Sequence, residues 1–108
     1  MSEMSKVREV TGDVAKQLID SGAPVIVDFW ATWCGPCKAI APKLNSAAEE
    51  VSTVQFLKVT IEETSGRKLA AEYAVQGIPT LVKFNEKTEV ARMVGAGSLI
   101  DIIALARK

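Results

Sequence analysis

Residues 25–40 read VIVDFWATWCGPCKAI and hold the only two cysteines of the chain, Cys34 and Cys37. Two thiols at this spacing can close on each other, exchange with a foreign disulfide, or supply half of a metal site. The chain has no histidine. That removes a Cys–His nucleophilic pair, a His-ligated zinc and an imidazole general base together. A closed structural zinc site draws on four ligands, so these two cysteines could hold one only by sharing it with a second subunit.

The surroundings favour exchange. PVIVDFWA (24–31) is β-branched and aromatic, and CKAIAPKLNSAAEEV is rich in helix formers, so Cys34 falls where a buried strand gives way to a helix. The first N–H groups of a helix have no partner within it, and the helix dipole places partial positive charge there. A thiolate at that point is stabilised, and the thiolate is the species that attacks disulfides. Cys37 lies one turn on, on the same face. Pro36 fits the first turn and restrains the sulfurs through its fixed φ, while Gly35 leaves the approach to Cys34 open. The expected cycle starts with attack of Cys34 on a substrate disulfide to give a mixed disulfide. Cys37 then attacks the Cys34 sulfur and releases the second thiol, so the chain ends oxidised and needs an external reductant. An inert thiol pair, a plain structural disulfide and the shared metal site are the competing readings.

Asp28 sits in the middle of that strand. An ionised carboxylate inside a core is costly, so its pKa should rise. With no histidine available, a carboxyl of raised pKa is the candidate proton acceptor for Cys37, through a bridging water. The simpler alternative is that Asp28 satisfies nearby backbone groups.

The elements that must position these groups follow from periodicity. VREV (7–10) reads as a strand, and GDVAKQLIDS (12–21) as a helix with Val14, Leu18 and Ile19 inward, capped by Thr11 and stopped at Gly22. In the helix after the cysteines, Ile40, Leu44, Ala47, Ala48 and Val51 mark one face, and Pro42 interrupts it. VQFLKVTI (54–61) is a further strand, 66–73 a short helix, and TLVKFN (80–85) with EVARMV (89–94) a hairpin across Glu86, Lys87 and Thr88. A last helix starts near Ser98, with Asp101 three residues on and a stripe of Leu99, Ile102, Ile103 and Ala106. The order βαβαβαββα predicts a mainly parallel sheet with an antiparallel edge, covered by helices.

A chain of 108 residues with this pattern is expected to form one domain, 1–108. Thirteen basic and thirteen acidic residues cancel, which gives no electrostatic reason to expect nucleic acid or an anionic membrane as partner. No apolar run approaches the ~20 residues of a spanning helix. MSEMSKVREV carries no signal-peptide pattern, and a cytoplasmic location is expected.

With GIPT (77–80), Pro42 and VGAGS (94–98) added to VDFWATWCGPCK (27–38), the sequence resembles the thioredoxin family over essentially its whole length. The resemblance implies an α/β thioredoxin fold, a central mixed five-stranded sheet flanked by four helices. It implies protein-disulfide reduction by the Cys34–Cys37 pair. Asp28 matches the buried acid that serves the second cysteine, Lys58 the lysine that tunes that acid, and Trp30 a packing residue behind the site. Pro79 matches the cis-proline facing the disulfide. The Ile78 backbone is then expected to pair with a substrate peptide as an added strand. Trp33, Gly35, Pro36, Ile78, Pro79 and the Val94–Gly95–Ala96 segment would form the apron for that peptide.

The chain is expected to be a monomer with no bound cofactor beyond its redox-active disulfide. Its partners would be disulfide-containing proteins and a thioredoxin reductase, usually an NADPH-dependent flavoprotein and in some systems ferredoxin-dependent. Two stretches depart from the family pattern: the hairpin loop NEKTE, which lacks glycine, and VTIEE after Lys58. Both are expected to lie away from the cysteines. The rival functions are a disulfide oxidant or isomerase on the same fold, and a redox-independent binding or assembly subunit. Gly-Pro between the cysteines and the expected cytoplasmic setting favour reduction.

Overall fold

The structure is a computed structural model and describes residues 6–108. In chain order the elements are β1 (Val7–Glu9), α1 (Gly12–Asp20), β2 (Val25–Trp30), α2 (Gly35–Glu50), β3 (Gln55–Thr60), α3 (Thr64–Glu72), β4 (Thr80–Asn85), β5 (Thr88–Val94) and α4 (Leu99–Ala106). The strands form one sheet in the order β1-β3-β2-β4-β5. β3 runs parallel to both β1 and β2, while β4 is antiparallel to β2 and to β5. The predicted element order and mixed sheet are both observed.

β2 is the middle strand, and its first five residues are buried on both faces. Side chains alternate along a strand, so Val25, Val27 and Phe29 point to one face and Ile26, Asp28 and Trp30 to the other. The first set packs with Ala15 and Ile19 of α1 and Leu69 of α3. Ile26 packs with Ile40 and Leu44 of α2 and Ile102 of α4. Each fully buried Ile, Leu or Phe in these layers stabilises the fold by roughly 1.5–3 kcal/mol. Asp28 therefore lies in the layer that α2 covers, the helix that carries Cys37.

The departures from periodicity have local causes. On α1 the inward stripe is Gly12, Ala15 and Ile19, and Val14 faces solvent. α1 approaches the start of α3 so closely that a Cβ on Gly12 would collide with the Ser65 carbonyl, which selects small residues on that side. α3 begins at Thr64, two residues earlier than expected, because the Glu63 carboxylate accepts from the N–H groups of Ser65 and Gly66 and caps the helix. The same carboxylate accepts from Gly12 N–H at 3.2 Å, so one acid ties two helix starts together. α3 ends in a Schellman arrangement: Val75 N–H donates to Ala70 O and Ala74 N–H to Ala71 O, with Ala74 at φ 55°.

On α4 Leu105 is buried beside Ile102 and Ala106, while Leu99 and Ile103 are only partly covered. The Ser98 hydroxyl caps this helix by accepting from Asp101 N–H at 3.1 Å. The hairpin is one residue tighter than expected, since Thr88 pairs with Asn85. That leaves a two-residue turn, Glu86 and Lys87, both at positive φ (50° and 73°). Such turns match the twist of the flanking strands and usually take Asn or Gly.

Candidate active site

Cys34 occupies the N-cap of α2, and its Sγ accepts from Cys37 N–H at 3.2 Å. The two cysteines are joined as a disulfide, with Cα atoms 5.3 Å apart. The bond the sulfur receives is one of the orphan donors of the helix start, and in the dithiol form it would favour a thiolate at Cys34. Gly35 and Pro36 fill the first turn. A Cβ at position 35 would meet open space to 4 Å, so the surface beside Cys34 is bare at Gly35. Both cysteines are otherwise buried, packed with Ala31 and flanked by Trp30, Ile61 and Ile78.

Directly across from Asp28 in the sheet stand Lys58 on β3 and Leu81 on β4. Asp28 is 1% exposed, and neither of its carboxylate oxygens has a hydrogen-bond partner among the described residues. The alternative in which Asp28 serves the backbone is therefore not what the geometry displays. Burial pushes its carboxyl from 3.8 up to about 7, and the positive charge of Lys58 pulls it partly back. The Lys58 ammonium lies 4.1 Å from the centre of the Trp30 ring, a cation–π contact that holds it on this side of the sheet. Trp30 thus touches both the cysteine cluster and Lys58. Asp28 makes no direct hydrogen bond to either cysteine of the disulfide.

The remaining expected residues gather around the disulfide. The Ile78–Pro79 bond is cis, and Ile78 packs on the cysteine cluster. Gly95 N–H donates to Pro79 O at 2.8 Å, which brings Val94, Gly95 and Ala96 beside Pro79. Gly95 adopts φ 88°, a conformation that only glycine takes without strain. Trp33 and Val94 are large apolar residues left 67% and 70% exposed. Large exposed apolar groups next to a reactive pair suit a surface that receives another chain.

Two features were not legible beforehand. The VTIEE stretch is not remote from the cysteines. Thr32 N–H and Oγ1 both donate to the Glu62 carboxylate, at 3.0 and 2.8 Å, and Thr60 Oγ1 donates to it as well. The turn that delivers Cys34 is therefore braced from the β3–α3 loop, and the bonds from Thr32 hold the Glu62 carboxyl below its usual range. The second is an open groove of about 500 Å³ leading away from the site, in the size range of ligand clefts. Trp33, Ile61 and Ile78 form its near end, and Arg67 and Ala71 of α3 and Val75 just past its end continue it. Among the described residues no cluster of three or more His, Cys, Asp or Glu lies together as a metal site.

The thioredoxin family model matches residues 6–108. The chain is 46% identical over 89 residues to a thioredoxin of Mycoplasma pneumoniae, covering 82% of this chain and 85% of that one. It is 40% identical over 96 residues to a thioredoxin of Echinococcus granulosus, covering 89% and 88%. Among solved structures, thioredoxin f of spinach chloroplast superposes with a TM-score of 0.82 at 33% identity, covering 100% of both chains. A cysteine pair capping a helix, a disulfide between them and a sequence match across all the described residues agree. This chain belongs to the thioredoxin family and is a protein-disulfide oxidoreductase working through Cys34 and Cys37.

Proposed function

We propose that Cys34 is the attacking thiolate and Cys37 the resolving thiol, in a monomeric carrier that reduces protein disulfides in the cytoplasm and is recharged by an NADPH-dependent flavoprotein reductase. The observation that carries this reading is the N-cap position of Cys34. Its sulfur receives a helix N–H, and the surface beside it at Gly35 is bare. The substrate disulfide is cleaved as Cys34 forms a mixed disulfide. Cys37 then loses its proton and displaces the second substrate thiol, leaving Cys34–Cys37 oxidised and the substrate reduced by two electrons. Asp28 takes the Cys37 proton through water; a carboxyl near 7 is matched to that exchange at neutral pH.

Lys58 sets the Asp28 pKa from across the sheet, and Pro36 limits the separation of the sulfurs. Trp33, Ile78, Pro79 and Val94–Ala96 dock the substrate backbone and its apolar side chains. Support for the cytoplasm is chemical: a dithiol donor must work where thiols are kept reduced. Monomer is supported by the function itself, since Trp33 and Val94 must stay open to receive substrate. The roles of the cysteines separate in one experiment. Cys37→Ser is expected to accumulate a mixed disulfide with a protein substrate through Cys34, and Cys34→Ser to accumulate none. Trapping through Cys37 instead would overturn the assignment.

A further inference from the structure

The groove beside the disulfide carries one charged group. Its walls are mostly apolar, with Gln76 the one uncharged polar side chain, and Arg67 lines it. The Arg67 guanidinium is aimed by the chain's own backbone: Nη1 donates to Glu62 O at 3.0 Å and Ile61 O at 3.4 Å, and Nη2 to Thr64 Oγ1 at 3.4 Å. None of these partners is a carboxylate. Among the described residues every ion pair is made by Lys16, Arg92 or Arg107, and Arg67 enters none. The two nearest acids on the N-terminal side are both engaged elsewhere: Glu63 accepts from Gly12, Ser65 and Gly66, and Glu62 from Thr32 and Thr60, and neither lines the groove. Arg67 therefore keeps a fixed, exposed positive charge with donors to spare.

The groove is continuous with the reacting sulfurs. Ile61 and Ile78 both pack on the cysteine cluster and both line the groove. A peptide whose cysteine is engaged by Cys34 reaches the groove within a few residues, at about 3.3 Å per extended residue. Its apolar side chains would meet Trp33, Ile61 and Ile78, and a side chain further along would meet Arg67. We infer that Arg67 selects among substrates, favouring peptides that carry Asp or Glu a few residues from the reducible cysteine and disfavouring Lys or Arg there. This rests on the reading of the groove face as the substrate-docking side. Both partners are solvent-exposed, so the expected discrimination is modest, roughly two- to five-fold per charge, and it weakens with salt.

The test uses the pre-reduced full chain and short peptides, each with one cysteine held as a mixed disulfide with mercaptoethanol. A flanking Leu is kept constant, and Asp, Ala or Lys is placed two to four residues away on either side. Second-order rate constants are read from peptide thiol release at low and high salt. The expected order is Asp over Ala over Lys at one of these positions, compressed by salt. Arg67→Ala should remove the order, Arg67→Lys should keep it in part, and Arg67→Glu should reverse it. Equal rates for all three peptides in the wild-type chain overturn the inference while leaving disulfide reduction intact, as does an acidic preference that survives in Arg67→Ala. Reduction of free mercaptoethanol disulfide but of no peptide overturns the docking reading as well.

Discussion

Replacing Asp28 by Asn should make the protein more stable at alkaline pH, by an amount that the burial of the carboxyl fixes. Its folded pKa is raised, from 3.8 to about 7, because the low-polarity interior disfavours the ionised form more than Lys58 favours it. The stability that Asp28 contributes is therefore fully present below 3.8 and is lost as pH rises through the folded value. The loss runs at about 1.4 kcal/mol per pH unit between 3.8 and about 7, then levels off. Between pH 5 and 8.5 this accumulates to about 3 kcal/mol. The replacement amide has nearly the same shape as the carboxyl and does not ionise. Urea unfolding of the oxidised proteins isolates the effect, since the disulfide-bonded cysteines do not titrate. The stability gap between variant and wild type should open by about 3 kcal/mol over that range, with unchanged m. Lys58→Met should move the wild-type transition to higher pH, because it removes the charge that holds the carboxyl down. A gap independent of pH would refute the reasoning, since Asp28 would then be solvated or paired.

Two further outcomes concern the two ends of α3. Ala74 holds the left-handed position at the end of α3, where a Cβ costs about 1 kcal/mol, so Ala74→Gly should raise the urea midpoint by a comparable stability; a lower midpoint would mean that glycine entropy dominates. The Glu63 carboxyl is lowered from 4.5 to about 2, first by the Ser65 hydroxyl and then by the N–H groups of Ser65, Gly12 and Gly66. Its stabilisation is present above 4.5 and is lost as pH falls toward 2, so Glu63→Gln should lower Tm at neutral pH and flatten the acid limb of the Tm–pH curve. Parallel curves for the two proteins would count against the shared cap.

What the sequence made legible is what depends on neighbours along the chain. The apolar run of β2, the helix formers after Cys37 and the hairpin signal near residue 86 are local, and they yield the element order and the place of Cys34 at a helix start. The elevated pKa of Asp28 was legible for the same reason, as an acid inside a continuous apolar strand. What escaped depends on which element packs on which. Val14 and Ala15 both fit the periodicity of α1, and only the close approach of Ser65 to Gly12 decides between them. Glu62 reads as one acid in a charged loop, yet it braces Thr32 from 30 residues away. Arg67 reads as a solvated helix residue, and becomes notable only because Ile61 and Ile78 join its groove to the cysteines.

Reduction of substrates rests on the direction of electron flow, and the midpoint potential of the Cys34–Cys37 couple decides that direction. Trp30 packs on the cysteines, so its fluorescence should follow the couple in glutathione or dithiothreitol buffers without a label. Thioredoxins poise near −270 mV and strong dithiol oxidants near −120 mV, and a value at or below about −250 mV is expected for this chain. A value above about −200 mV would contradict the reductase reading and place the chain among the oxidants and isomerases.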